Sequence, residues 1–345
     1  IYGESDSVMA DSRTLVKQTL QFASPQRIPR DLWVLPWAEI HYPSELAAIR
    51  ARFPPDIVTA PSFLREPLHT SGDAYTPGTY IDEWGCAFEN LQPGVIGQVK
   101  APLVASWEDL EKVQPPDASL SIDPEQINAF CKATDKFVLS GCCPRPFERL
   151  QFLRGSENLY MDLAEQPGDL FVLIDRVHQF YLKELELWAK TDIDALYFMD
   201  DWGAQRSLLI SPRQWRKIFK PLYEDYIRLA HQYGKFIFMH SDGFTQDIIP
   251  DLIELGLDAL NTQLFTMDIA QLGQRFKGRL TFWGEIDRQR LLPFAEPPEI
   301  DRAVREVKEA LFCNGGVIAQ CEFGAGAKPE NVYQVYQSWE DVLPD

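Results

Sequence analysis

"FIFMHSDGF", residues 236–244, is an apolar run of strand character that stops on a histidine, an aspartate and a glycine. The segment before it, "SPRQWRKIFKPLYEDYIRLAHQYG" (residues 211–234), has the apolar spacing of a helix. Ser211 suits its N-cap, Pro212 its first turn and Gly234 its stop, while Pro221 should kink or divide it. A helix followed by a buried strand is one repeat of a parallel βα array, and the same alternation extends in both directions.

Eight strand candidates follow from that pattern: "LWVLP" from Leu32, "DIVTA" from Asp56, "KFVLSG" from Lys136, "ALYFMD" from Ala195, "KFIFMH" from Lys235, "ALNTQ" from Ala259, "LTFWGE" from Leu280 and "GVIAQC" from Gly316. Eight parallel strands close a (β/α)8 barrel, so the expected fold is a single α/β TIM barrel over residues 9–345. Between the second and third strands, "TYIDEWGCAFENLQPGVIGQVKAPL" is too long for a simple connection and predicts an inserted β-hairpin turned near "QPG". Residues 1–8, "IYGESDSV", are set aside as a native extension or an expression remnant.

The 51 acidic and 33 basic side chains give a net charge of -18, which repels phosphate backbones and anionic lipid heads. Nucleic-acid and membrane roles are therefore not expected, and a soluble cytoplasmic protein is. The six cysteines form no CxxC pair and are expected to be reduced. His178 and His231 fall in helical patterns and His41 and His69 in early loops, where structural or solvated roles are the simpler reading.

In a TIM barrel the chemistry gathers where strands end. The late strands end on Asp200 and Asp201, His240 and Asp242, Asn261 and Gln263, Glu285, and Cys321 with Glu322. Asp and Asn also begin loops for ordinary turn reasons, so no single acidic residue is telling. His240 is different, because a histidine after four apolar residues needs a buried partner or a ligand role. His240, Asp242, Glu285 and Cys321 form a candidate zinc set, with Gly243 turning the chain so that His240 and Asp242 can share one mouth. Asp200, Asp201 and Glu322 are candidate catalytic carboxylates, and Trp84, Trp202, Asn261 and Gln263 candidate substrate contacts.

"DEWGCAF", "PFERLQFLRGSENLYMDL", "MDDWGAQRSLLISPRQWRKIFKP", "HSDG", "FWGEIDRQ" and "KPENVYQVYQSWED" together resemble the uroporphyrinogen decarboxylase superfamily, in particular its cobalamin-associated methyltransferase branch, from Arg13 onward. The resemblance implies zinc held by a His-x-Cys pair and a distant cysteine, and a partner protein that carries cobalamin. His240 matches the histidine and Cys321 the distant cysteine, whereas Asp242 stands where a cysteine is expected. It also implies that Asp200 accepts a substrate hydrogen bond.

The arginine pair and the aspartate of true decarboxylases have no counterpart: "LWVLPWAEIHYP" has Pro36, Trp37, Glu39 and Ile40, and "DIVTAPSF" has Ala60 and Pro61. The implied activity is methyl transfer between a corrinoid protein and a small thiol or folate. The rivals are a lyase, hydrolase or decarboxylase acting on a small carboxylated molecule through strand-end carboxylates, and a non-catalytic small-molecule-binding barrel.

Overall fold

The computed structural model describes residues 10–342; the segment 1–8, read above as an extension, lies outside them. In chain order the strands are β1 (Arg30–Val34), β2 (Ile57–Thr59), β3 (Gly78–Ile81), β4 (Ala87–Asn90), β5 (Gln98–Ala101), β6 (Phe137–Leu139), β7 (Ala195–Met199), β8 (Phe236–Ser241), β9 (Ala259–Thr262), β10 (Thr281–Trp283) and β11 (Val317–Phe323). All eight expected barrel strands are present, hydrogen-bonded in parallel in the order β1, β11, β10, β9, β8, β7, β6, β2. The two ends of that sheet meet through Asp56 N, which donates to Arg30 O at 2.8 Å. Helices surround the sheet, which is the (β/α)8 barrel expected from the alternation.

Side-chain alternation sorts each strand into an inward and an outward set. Phe238, Trp283 and Ile318 meet inside the barrel, where Val16 and Leu20 of the first helix (Ser12–Leu20) close the lower end. Ile237, Met239, Val317, Ala319, Cys321 and Phe323 pack in the outer layer between sheet and helices. At full burial a Leu or Phe contributes roughly 1.5–3 kcal/mol, so this double layer needs no disulfide; all six cysteines are free.

The helix before β8 behaves as its prolines dictate. Ser211 Oγ accepts from Gln214 N at 3.2 Å, Pro212 opens the first piece (Pro212–Ile218), and Pro221 separates it from a second (Lys220–Gln232). None of the helices among the described residues is long and apolar enough to cross a membrane.

The insertion differs from expectation: it is a three-stranded antiparallel sheet, β3-β4-β5, rather than a hairpin. The turn at Gln92–Gly94 does join β4 to β5. The extra strand exists because the Asp82 carboxylate accepts from Trp84 N (3.0 Å) and Cys86 N (2.8 Å), folding β3 back onto β4. Arg149 then ties that turn to the barrel through Asp82 and Glu83.

Candidate metal centre

The inward parity of β8 places His240 at the top of the barrel interior, 4% exposed, with its ring centroid 5.1 Å from that of Trp33. His240 Nδ1 lies 2.6 Å from Asn261 Oδ1, and the Asn261 amide nitrogen is bonded to the carbonyl of Trp283. Because that amide must donate to a carbonyl, its oxygen faces the ring, so Nδ1 carries the proton and Nε2 turns towards the mouth.

Asp201 Oδ1 is 3.4 Å and Asp242 Oδ1 3.5 Å from Nε2. The three ligand atoms lie within 4.8 Å of one another. Two loops must touch for this to happen. Asp242 N donates to Asp201 Oδ1 at 3.0 Å and Gly203 N to Asp242 O at 3.0 Å. Gly243 has φ +73, and a Cβ there would sit 2.1 Å from Gly203 O, so neither loop accepts a side chain at the crossing.

The group is short of positive charge. Burial favours the neutral imidazole, but the Asp201 and Asp242 carboxylates outweigh it and raise the His240 pKa to about 9. Asp201 is correspondingly held below the usual carboxylate range, chiefly by His240 and against its own burial. Asp242 Oδ1 is buried without a hydrogen-bond partner, a costly state for a carboxylate oxygen. One nitrogen of fixed tautomer and two carboxylate oxygens fit a divalent cation that keeps further positions open for a ligand.

Arg288 stands beside this group and was not singled out from the sequence. Its guanidinium bonds the other oxygen of Asp242, donates to Glu322 Oε1 at 3.0 Å, and has Nε 3.3 Å from Glu285 Oε1. Glu285 is 2% exposed; burial, more than any charge, pushes its carboxyl up to about 8. Glu285 and Arg288 line a cavity of about 410 Å³ together with Gln263 and Asp287. On the other flank Glu148, raised to about 7 by burial and then by Asp201, has a buried Oε2 without a hydrogen bond.

The remaining expected residues separate by strand parity. Cys321 faces outward, its thiol 3.7 Å from the Tyr336 hydroxyl, and the structure does not bring it to the His240 group. Glu285 is likewise kept apart from His240's partners by the Arg288 guanidinium, which bonds Asp242 itself. Asp200 points outward and accepts from Phe147 N (3.0 Å), Glu148 N (2.9 Å) and Tyr223 Oη (2.6 Å), the work of a helix N-terminus rather than a substrate contact.

Trp202 is fully buried, stacked on Phe147 at 4.1 Å, and forms no pocket wall. Trp84 is buried against Phe180 and Tyr181, with one face towards a second cavity. Gln263 Oε1 accepts from Gly243 N at 2.9 Å and so steadies the loop that carries Asp242. His178 and His231 pair with Asp225 and Asp258, in the structural roles expected of them.

The sequence model described as uroporphyrinogen decarboxylase (URO-D) matches residues 81–341. No curated protein matches the chain. Among solved structures it is similar to a methyltransferase from Methanosarcina mazei, at 16% identity and TM-score 0.63, over 96% of this chain and 98% of that one. A B12-independent methionine synthase from Shewanella sp. W3-18-1 aligns at 11% identity and TM-score 0.46, over 86% and 85% of the two chains. At these identities structural likeness concerns the fold. The sequence match spans β4 and β5 of the insertion and the barrel from β6 to the last helix, His240 group and Arg288 included, and the chain belongs to the uroporphyrinogen decarboxylase family.

Proposed function

We propose that the chain is a metal-dependent methyltransferase that moves a methyl group between a corrinoid on a partner protein and a small thiol or folate. His240 Nε2, Asp242 Oδ1 and Asp201 Oδ1 would hold a zinc ion. The observation that carries this reading is the orphaned Oδ1 of Asp242, buried and 3.5 Å from a histidine nitrogen whose tautomer is already set. Family membership and the fold shared with a methyltransferase support it.

Such an ion supplies Lewis acidity, lowering the pKa of a coordinated thiol or water. Asn261 orients the imidazole, and Arg288 holds Asp242 by its far oxygen so that the near one stays aimed at the group. Trp33, Trp283 and Tyr197 pack edge to face beneath it and keep water from below. Replacing sulfur by oxygen among the donors makes the set harder, and a bound ion correspondingly more acidic.

The test is transfer from methylcobalamin to a panel of thiols and to a reduced folate, with the zinc-loaded protein. The wild type is expected to consume the methylcobalamin absorbance and Asp242→Asn to leave it unchanged. Complete inactivity with one zinc per chain would overturn the reading.

One observation favours a second reading, a lyase or decarboxylase acting on a small carboxylated molecule. Glu285 is a buried carboxyl at about 8 that lines the 410 Å³ cavity beside Arg288, as a general acid would be. Turnover of such an acid by metal-free protein, abolished in Glu285→Gln, would select it.

A further inference from the structure

The turn of the inserted sheet and the loop after β6 enclose a second cavity of about 420 Å³, within the size range of small-molecule sites. Trp84, Phe180, Tyr181 and Trp188 supply aromatic wall; Arg145, Arg149 and Glu184 also line it. Arg149 is fully engaged, by Asp82, Glu83 and the Tyr181 hydroxyl. The other two are not.

Arg145 has one ion pair among the described residues, with Glu148 Oε2 at 3.8 Å, too long for a hydrogen bond. Glu148 Oε2 has no hydrogen-bond partner, and the partly exposed Arg145 guanidinium, whose other neighbour is the Cys143 thiol, keeps donors to spare. Glu184, on the helix Gly168–Ala189, makes no ion pair and no hydrogen bond among the described residues. Glu184 and Arg145 do not pair with each other, although both act on the Tyr181 hydroxyl. Burial, and then the Glu83 charge, raises the Glu184 carboxyl to about 8 against the pull of Arg149, and Glu184 lines the cavity with no hydrogen-bond donor on its oxygens among the described residues.

A guanidinium with free donors and a carboxyl with free acceptors, set in an aromatic wall, are complementary to a ligand bearing both charges on an apolar body. We propose that this cavity binds a small zwitterion whose anionic group meets Arg145 and whose ammonium group meets Glu184. Arg145 is also a charge neighbour of Asp201, so the anionic end is held on the side of the His240 group. That the zwitterion is the methyl donor or acceptor rests on the proposed function; that it binds does not.

Calorimetric titration of the full chain in EDTA tests the binding alone, with 5-aminovalerate as zwitterion, valerate as anion and pentylamine as cation. The expected result is that 5-aminovalerate binds at least about tenfold more tightly than either single-charge probe. Arg145→Gln should abolish valerate binding, while Glu184→Gln should leave valerate unchanged and remove the zwitterion's advantage. Binding of 5-aminovalerate no tighter than valerate, binding of none of the three, or wild-type affinities in both variants would overturn the proposal. Should Arg145→Gln lose its circular dichroism signature, Glu184→Gln carries the test by itself. Because chelation removes any ion, failure here leaves the methyl-transfer reading standing, and failure of methyl transfer leaves this one standing.

Discussion

Replacing Arg288 by methionine removes the guanidinium that touches Asp242, Glu285 and Glu322 while keeping an apolar stem of similar length. Breaking a buried ion pair from one side costs about 3–5 kcal/mol. Arg288 is 23% exposed, so water replaces part of what is lost, and Glu285 at about 8 is only about half charged at pH 8. Asp242 and Glu322 therefore dominate the loss, and we expect about 3 kcal/mol at pH 8, at the low end of that range. For a chain of this size this is roughly a 6 °C fall in Tm, at roughly 2 °C per kcal/mol.

The sign with pH follows from linkage. Without Arg288 the folded Glu285 and Glu322 carboxyls, already raised by burial, hold their protons more tightly than the unfolded ones, so the variant regains stability as pH falls towards 5. Zinc should act in the same direction, because both oxygens of Asp242 become available to it: at 100 times the Kd it restores about 2.7 kcal/mol. Thermal melts of wild type and Arg288→Met, with and without zinc, at pH 5 and 8, read all of this. A variant as stable as wild type in chelator at pH 8, or one that zinc fails to rescue, would refute the charge balance described for the site.

Three further outcomes are expected. Asn261→Ala frees the imidazole to rotate and should weaken zinc binding about 10–100-fold in a chelator competition, the usual effect of losing a partner behind a metal-bound histidine; an unchanged affinity would remove Asn261 from this role. Asp200→Ala should lower unfolding free energy by about 2–4 kcal/mol in urea, since three donors lose their acceptor, with zinc affinity unchanged within about twofold. Asp31, buried beneath the site and bonded to the indoles of Trp33 and Trp283, has a pKa of about 7, raised by burial. Its folded pKa exceeds its unfolded value of about 4, so Asp31 should lower wild-type stability by up to about 1.4 kcal/mol per pH unit between those values, its own contribution levelling off above pH 7. Asp31→Asn should flatten that slope in urea midpoints measured from pH 5 to 8.

The barrel was legible because strands buried on both faces leave uninterrupted apolar and β-branched runs, and "KFIFMH" or "GVIAQC" can be little else between helical patterns. The third strand of the insertion was not, since "GTYI" is short and largely exposed, and what makes it a strand is the side chain of Asp82 in the following turn. In the site, His240 and Asp242 stood out by position, but adjacent pairs did not resolve themselves. Asp201 rather than Asp200, and Glu322 rather than Cys321, face the interior, and a one-residue difference of parity decides between an interior ligand and an outer-layer contact. Arg288 could not be found from local sequence, because its place depends on carboxylates delivered by three separate strand ends.

Whether His240, Asp242 and Asp201 share a metal ion can be seen by anomalous diffraction at the zinc edge from crystals grown with zinc. One strong peak is expected about 2.0–2.2 Å from His240 Nε2, Asp242 Oδ1 and Asp201 Oδ1, absent in His240→Ala. A peak on Cys321 instead, or no peak at His240 in fully loaded protein, would contradict it.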